Sequence, residues 1–241
     1  LGIAAMEFRQ LLAASPAGGT VYVATGSSLS IASGRLSYAF GFQGPCISYD
    51  TACSAALSAC HGAFRALQLG ECVSSVVAGV SLMLAPATGA SFAIAGMTSA
   101  CGRSHTFDAR ADGFARGEGV GAFVQQHALT NDLDSVAIRG SAIRQDGRSA
   151  SLTAPNGQAQ RALLIAARND AEVDEGSEVL IEAHGTGTPL GDPIETSSLG
   201  EAMLKCRDPM ASPLSLGGVK AGLGHAEPAA GMTGLLALAM C

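Results

Sequence analysis

The chain has no tryptophan, few aromatic residues and few charges: 5% of its 241 residues are Phe or Tyr and 14% are Asp, Glu, Lys or Arg. Seven cysteines form no CxxC pair and show no Cys/His spacing of the kind a zinc ion uses, and an odd count argues against a disulfide framework. A reducing, intracellular compartment and no metal are therefore expected. A formal net charge of −6 with no Lys/Arg cluster disfavours nucleic acid as a partner. From Cys72 to Gly102 no charged residue occurs at all, yet Pro86, several glycines and interspersed Ser and Thr break the run. A membrane-spanning helix needs about 20 predominantly apolar residues in sequence, so the stretch reads as a buried strand, Val73 to Val80, then a loop and helix inside a domain or an interface. The start, Leu1-Gly2-Ile3, has no initiator Met, basic segment or cleavage site, so neither secretion nor targeting can be read from it, and the apolar stretch from Ala229 to Cys241 has no helix stop. Both ends read as interior to a longer chain.

What is present is glycine, 31 residues of it, and 48% hydrophobic side chains, enough for the buried surface of an α/β enzyme arranged as one large domain or two similar halves. Strand-like and helix-like segments alternate. Cys46 to Tyr49, Val120 to Gln125, Ser135 to Gly140 and Val179 to Ala183 have strand character. Ser54 to Leu69 carries Leu57, Cys60, Phe64 and Leu67 at helical spacing with Gly70 placed to stop it, and Gln158 to Arg168 is a second helix. Asp192-Pro193-Ile194-Glu195 reads as a helix start, with Asp192 as N-cap, Pro193 in the first helical position and Glu195 completing a capping box. Such alternation predicts a mostly parallel sheet flanked by helices.

Three segments carry chemistry. In Asp50-Thr51-Ala52-Cys53-Ser54-Ala55-Ala56 a cysteine follows a strand and opens a helix among small residues. The helix dipole and its unpaired N–H groups favour a thiolate there, and the small neighbours admit a bulky thioester. Cys46, Cys60, Cys72, Cys101, Cys206 and Cys241 lack that setting and read as buried structural cysteines. In the second segment His184 leaves a strand and enters the loop Gly185-Thr186-Gly187-Thr188-Pro189-Leu190-Gly191, where glycines allow close backbone approach and Thr186 and Thr188 offer hydroxyls to the amide groups of an extended substrate arm. In the third, Lys220-Ala221-Gly222-Leu223-Gly224-His225, a lysine in an otherwise uncharged loop is placed to orient or polarise the imidazole. His61, His105 and His127 sit in no such context and read as structural or exposed. One nucleophilic cysteine and two histidines on separate glycine-rich loops suggest thioester chemistry, in which an acyl-thiol intermediate forms and the imidazoles stabilise an enolate.

Taken together these segments resemble the β-ketoacyl synthase family in its type I polyketide synthase branch. Asp50 to Ser54 is similar to the family's active-site cysteine motif, His184 to Glu195 to its HGTGTPLGDPIE motif, and Lys220 to Gly231 to its KxxxGHxExAAG motif. Gly34 to Tyr38, Phe107 to Gly119 and Leu152 to Gln160 resemble further family segments in the family's order. The resemblance implies a thiolase-like layered α-β-α-β-α fold of two related halves, here truncated at both ends. About 1–130 would hold the nucleophile and about 131–241 both histidines. It also implies an acyltransferase that takes an acyl chain onto Cys53 and condenses it with a decarboxylated malonyl-type extender, His184 and His225 assisting decarboxylation. Lys220 would support the second histidine, Thr186 and Thr188 would contact the phosphopantetheine arm, and the Cys53 N–H would serve an oxyanion hole. The implied partners are an acyl carrier protein, adjacent synthase domains and a second copy in a homodimer. No cofactor is expected on the domain itself, since phosphopantetheine arrives on the carrier. Ser99 to Arg103, Arg144 and Ala150-Ser151 depart from the common pattern, and none touches the proposed triad. Ala55-Ala56 with the downstream GHAEPAAGMTG resembles ketosynthases of dinoflagellate type, for which a plastid rather than cytoplasmic address would apply. The piece alone is expected neither to fold nor to work independently. A papain-like hydrolase, which needs one His and an Asn, a thiolase acting on coenzyme A esters and a non-condensing scaffold are the competing readings.

Overall fold

The computed structural model describes residues 1–4, 7–127, 136–205 and 207–241. In chain order its elements are α1 (Glu7–Ala14), α2 (Val23–Ser27), α3 (Leu29–Phe40), α4 (Ala55–Gln68), β1 (Ser74–Ser81), α5 (Pro86–Ile94), β2 (Gly119–Gln126), α6 (Gly157–Ala171), β3 (Leu180–Glu182), α7 (Gly191–Leu199), β4 (Ser215–Gly217), α8 (Lys220–Leu223) and α9 (Ala230–Ala239). Two compact units divide the chain. The first gathers Leu1–Met97, Arg116–Asn131 and His225–Leu236, and the second Thr98–Ala115, Asp132–Gly224 and Ala237–Cys241.

The core of the first unit is built from small residues. Ala55, Ala56, Ala59 and Cys60 of α4 are buried with Val77 and Ala78 of β1 and with Ala229, Ala230 and Met232 around the start of α9. A Cβ added at Gly79 would stand 3.0 Å from the Ala56 Cβ and 3.2 Å from the Ala229 Cα. Helix α4 and the start of α9 therefore lie against the strand at a distance that only glycine and alanine permit. Val77 and Met232, the largest fully buried side chains, each contribute about 1.5–3 kcal/mol of transfer free energy. The consequence for the site is that Cys53, just before α4, and His225, just before α9, are carried on the N-terminal ends of two elements packed on one strand.

β1 pairs with β2 antiparallel over its full length, from Ser74 opposite Gln126 to Ser81 opposite Gly119. The expected mostly parallel sheet is thus corrected: of the named strands only β3 and β4 pair in parallel, with Leu180 opposite Ser215 and Glu182 opposite Gly217, and the further parallel pairings among the described residues are isolated bridges, such as those of Gly2 with Tyr49 and Gly79. Hydrophobic runs specify burial, whereas strand direction follows from which segment the tertiary fold lays alongside. The predicted strand at Cys46 to Tyr49 shrinks to a single bridge between Tyr49 and Gly2. Residues 136–140 form no regular element, since strand propensity without a paired neighbour leaves the backbone unladdered, and Ser135 lies outside the described residues.

In the second unit, α6 begins on Asn156, whose side chain accepts hydrogen bonds from the N–H groups of Gln158 and Ala159. It packs on α7 at Gly157, where the Ser198 hydroxyl donates to the Gly157 carbonyl at 3.1 Å. Val219 N–H donates to the Glu182 carboxylate at 2.8 Å, tying the end of β3 to the start of α8. His184 and Lys220 are thereby held on adjoining strand-to-loop exits. Among the described residues no helix is long and apolar enough to cross a membrane.

Candidate active site

Cys53 stands two residues before α4, with Ser54 as the N-cap. The approach is a tight turn: Ser54 N–H donates to the Thr51 carbonyl at 3.3 Å and Ala55 N–H to the Ala52 carbonyl at 3.0 Å. To make it, Ala52 adopts φ +52, a left-handed conformation that a residue with a Cβ enters at a cost of about 1–2 kcal/mol. Hydroxyls brace the turn, the Ser54 Oγ donating to the Thr51 carbonyl at 2.8 Å and the Thr51 and Ser58 hydroxyls meeting at 3.0 Å. The result presents Cys53, half-buried, at the positive end of a 14-residue helix. Its Sγ and a ring nitrogen of His225 lie within 4.8 Å of each other. His225 is 2% exposed.

The His225 turn is fastened from below. Gly117 N–H donates to the His225 carbonyl at 2.9 Å, and Arg116 and His225 form a parallel bridge. The Arg116 side chain, 12% exposed, donates through Nε to Glu227 at 2.5 Å and through Nη2 to Glu227 and Glu7 at 3.3 Å each. Hydrogen bonding to Glu227 raises the guanidinium's proton affinity against the opposing effect of burial. Burial pushes the Glu7 carboxyl up, but the N–H groups of Ala85 and Leu84, the Thr88 side chain and Arg116 together hold it below the usual carboxylate range. Arg116 and Glu227 both fall inside family-like segments of the sequence, yet residue order gave neither a role; the signal was a carboxylate two residues after a histidine in a stretch otherwise free of charge.

His184 and the loop after it belong to the second unit, together with Thr186, Thr188 and Lys220. Asp192 and Glu195 shape this loop, though not as a helix cap. Helix α7 starts two residues earlier, at Gly191, with Leu190 in the N-cap position. The buried Asp192 carboxylate instead accepts from the N–H groups of Gly187 (3.1 Å), Thr188 (3.2 Å) and Phe107 (2.8 Å). Glu195 accepts from the His184 N–H at 2.6 Å and the Gly185 N–H at 2.8 Å. Both carboxylates thus satisfy backbone donors of the preceding loop and fold it back over its own helix. Gly187, at φ +80, has no room for a Cβ, which would stand 2.7 Å from the His105 nitrogen.

His184 is exposed as a residue, while protein atoms near its ring desolvate the charged form. Desolvation first, then the positive charge of Lys220, lower its imidazole from 6.5 to about 4, with Asp192 pulling the other way. The ring is therefore neutral at physiological pH. Lys220 is 4% exposed, an unusual depth for a lysine. Burial raises the Glu195 carboxyl although the Gly185 and His184 N–H groups oppose it. Thr186 is buried and its hydroxyl lies 3.4 Å from that of Thr188. Thr188 accepts from Gly191 N–H at 3.2 Å, so part of its expected capacity for a substrate arm is already engaged in starting α7.

The remaining cysteines divide. Cys60 is buried as expected, with burial pushing its thiol up, but Cys46, Cys101 and Cys241 are exposed and Cys72 is half-buried. Small, isolated cysteines carry too little apolar area to dictate burial. Cys206 lies outside the described residues. His127 is exposed, its Nε2 2.9 Å from the Leu67 carbonyl.

A half-buried thiol at the head of a helix with an imidazole near it is an arrangement that thiol-dependent acyl transfer can use. Likeness to known proteins specifies the family. Residues 1–130 match the family model "Beta-ketoacyl synthase, N-terminal domain" and residues 136–241 match "Beta-ketoacyl synthase, C-terminal domain". The chain belongs to the β-ketoacyl synthase family, condensing enzymes of the acyltransferase class. It is 42% identical over 240 residues to one component of the phenolphthiocerol/phthiocerol polyketide synthase of Mycobacterium tuberculosis, covering 98% of this chain and 15% of that protein. It is 43% identical over 219 residues to pikromycin polyketide synthase component PikAII of Streptomyces venezuelae, covering 89% of this chain and 6% of that one. Among solved structures, the oxazolomycin ketosynthase domain of Streptomyces albus superposes with a TM-score of 0.82 at 34% identity, over 92% of this chain and 40% of that one. The ketosynthase from module 6 of the bacillaene synthase of Bacillus subtilis superposes with a TM-score of 0.83 at 37% identity, over 90% and 39% respectively. The fold is accordingly the thiolase-like α/β fold of ketosynthase domains, and the chain spans a small part of its relatives' length. These relatives are bacterial and give the plastid expectation no support.

Proposed function

We propose that this chain is the part of a ketosynthase domain that bears the nucleophile and both catalytic histidines, acting in polyketide assembly. The observation that carries the reading is the placing of Cys53 at the head of α4 with His225 within 4.8 Å of its sulfur. The Cys53 thiolate attacks the thioester carbonyl of an acyl chain on a carrier protein. The phosphopantetheine thiolate leaves and takes up a proton, and the acyl group stays on sulfur, with the Cys53 N–H stabilising the oxyanion. A malonyl-type extender on the carrier then loses carbon dioxide. Its two electrons remain as an enolate, whose oxygen accepts hydrogen bonds from His184 and His225. The enolate carbon attacks the Cys53 thioester, forming the carbon–carbon bond and expelling the Cys53 thiolate.

A neutral His184 suits this role, because a donor to an enolate need not be cationic. Lys220, expected to support His225, also acts on His184 through its charge. Thr186 and Thr188 receive the phosphopantetheine arm, the acyl carrier protein and adjacent synthase domains are the partners, and a homodimer is the working assembly. The division of labour between sequence halves 1–130 and 131–241 belongs to the same reading. A reducing compartment suits an enzyme that depends on a free thiol.

The test is to incubate the full-length protein with an acyl-pantetheine thioester and carrier-bound malonyl, following intact mass and product. Wild type should gain an acyl adduct that Cys53→Ala lacks, and then release a condensed β-ketoacyl product that His184→Ala and His225→Ala fail to make. Absence of an adduct on Cys53 would overturn the reading and favour a scaffold. An adduct with decarboxylation but no condensed product would reduce it to a non-elongating role.

A further inference from the structure

Arg116 meets the His225 turn with both its backbone and its side chain. Its main chain forms the bridge to His225, and the next residue's N–H donates to the His225 carbonyl at 2.9 Å. Its guanidinium forks onto Glu227, two residues beyond the histidine, at 2.5 and 3.3 Å. Glu227 holds φ +42, a left-handed conformation that a glutamate leaves unless something retains it. On its other side the guanidinium reaches Glu7 and lies 5.3 Å over the Phe92 ring. Glu7 in turn accepts from the N–H groups of Leu84 and Ala85 at 2.5 and 2.8 Å, immediately before α5. All three charged side chains are largely buried. A packed core alone would not call for such a chain of charges, since buried ion pairs contribute little net stability compared with apolar packing. What they do supply is direction: a bidentate arginine fixes two carboxylate oxygens in a plane.

We propose that Arg116 and Glu227 are positioning residues for His225. The ion pair locks the left-handed turn at Glu227 and so sets the height and angle at which the imidazole faces Cys53, with Glu7 and Phe92 anchoring the guanidinium to α1 and α5. The inference rests on the ketosynthase reading above. It predicts a selective defect, because loading of Cys53 depends on the head of α4, whereas condensation depends on where the His225 nitrogen stands.

The experiment uses the full-length protein with Arg116→Gln, Glu227→Gln, the double variant and Arg116→Lys. Three quantities are read: Cys53 acylation, condensation with carrier-bound malonyl, and alkylation of Cys53 by iodoacetamide at neutral pH. Each glutamine variant should lower the condensation kcat by about 10²-fold, the cost of a misplacement near 1 Å, with KM and acylation within about threefold of wild type. The double variant should be no worse than the poorer single one, and Arg116→Lys should recover a large part of the rate. Condensation kept in both glutamine variants, equal losses of acylation and condensation, or multiplying losses would each overturn the pair. Should Arg116→Gln fail to fold, Glu227→Gln decides by the same criteria. Alkylation separates this inference from the enzymatic reading. A wild type that makes no condensed product counts against the reading, while an alkylation rate that falls along with condensation in both variants shows that the surroundings of Cys53 itself were disturbed and counts against the selective positioning of His225.

Discussion

Ala52 is the residue that makes the nucleophile's turn, and it makes it at a cost. At φ +52 its methyl group crowds the backbone, a strain that persists because the start of α4 and the hydroxyls of Thr51, Ser54 and Ser58 determine the turn from both sides. A β-branched side chain raises that strain further. Ala52→Val should lower stability by about 1–2 kcal/mol, read from the midpoint of denaturant unfolding; an unchanged midpoint would mean that the turn relaxes freely. The same scale holds a second expectation, at His184. Desolvation and Lys220 keep its imidazole neutral down to about 4, so condensation should show no limb near 6.5 that belongs to this residue. Lys220→Met removes a positive charge that disfavours protonation. The His184 titration then moves up only part of the way toward 6.5, because desolvation, the larger cause, remains, and any acidic limb of the kcat profile should lie at higher pH in the variant than in wild type.

At the scale of elements, the contact of α4 and α9 with β1 decides where Cys53 and His225 stand. Gly79 is the point of closest approach, with the Ala56 Cβ, the Ala229 Cα and the Met232 Cβ all within 3.2 Å of where its Cβ would be. Gly79→Val pushes both helices off the strand. It should cost about 2 kcal/mol or more in stability, and it should slow Cys53 acylation and condensation together, a pattern opposite to the selective loss expected for Arg116→Gln. Parallel measurement of the two half-reactions distinguishes the cases. The loop after β3 follows a different rule. It is held by Asp192 and Glu195 accepting from five backbone N–H groups of Gly187, Thr188, Phe107, His184 and Gly185. Buried donors of this kind must be satisfied, and acidic side chains at the start of α7 are the acceptors available.

At the scale of the whole molecule, charge is sparse, and several titratable groups change their proton affinity on folding, which makes stability depend on pH. The unfolded His184 takes a proton near 6.5, the folded one only near 4; stability is therefore lost as pH falls through that interval and the loss levels off below it. Glu7, held below the ordinary carboxylate range, adds a further loss in more acid solution. Glu195 acts in the opposite sense, its raised carboxyl taking a proton more readily in the folded state. Thermal unfolding of the full-length protein should give a melting temperature for this domain that declines from about pH 7 to pH 4, and His184→Asn should flatten the part between about 6.5 and 4. A decline untouched by that substitution would place the effect elsewhere.

Much of the candidate site was legible in residue order, because a thiol at a helix start, two histidines beside glycines and a lone loop lysine each follow from local sequence. The helices over 55–68 and 157–171 and the strand over 74–81 were readable for the same reason, since periodicity is a local property. Local order could not say that β2 runs antiparallel to β1, that Asp192 and Glu195 serve a loop rather than a helix cap, or that Cys46 and Cys101 face solvent. Each of these depends on which distant segment arrives alongside. The clearest instance is Arg116, whose partners Glu7 and Glu227 lie 109 and 111 residues away along the chain. The sequence by itself determined which groups could do the chemistry; only the tertiary structure decided which charges hold them, because an ion pair is a matter of distance in space and not of spacing in the chain.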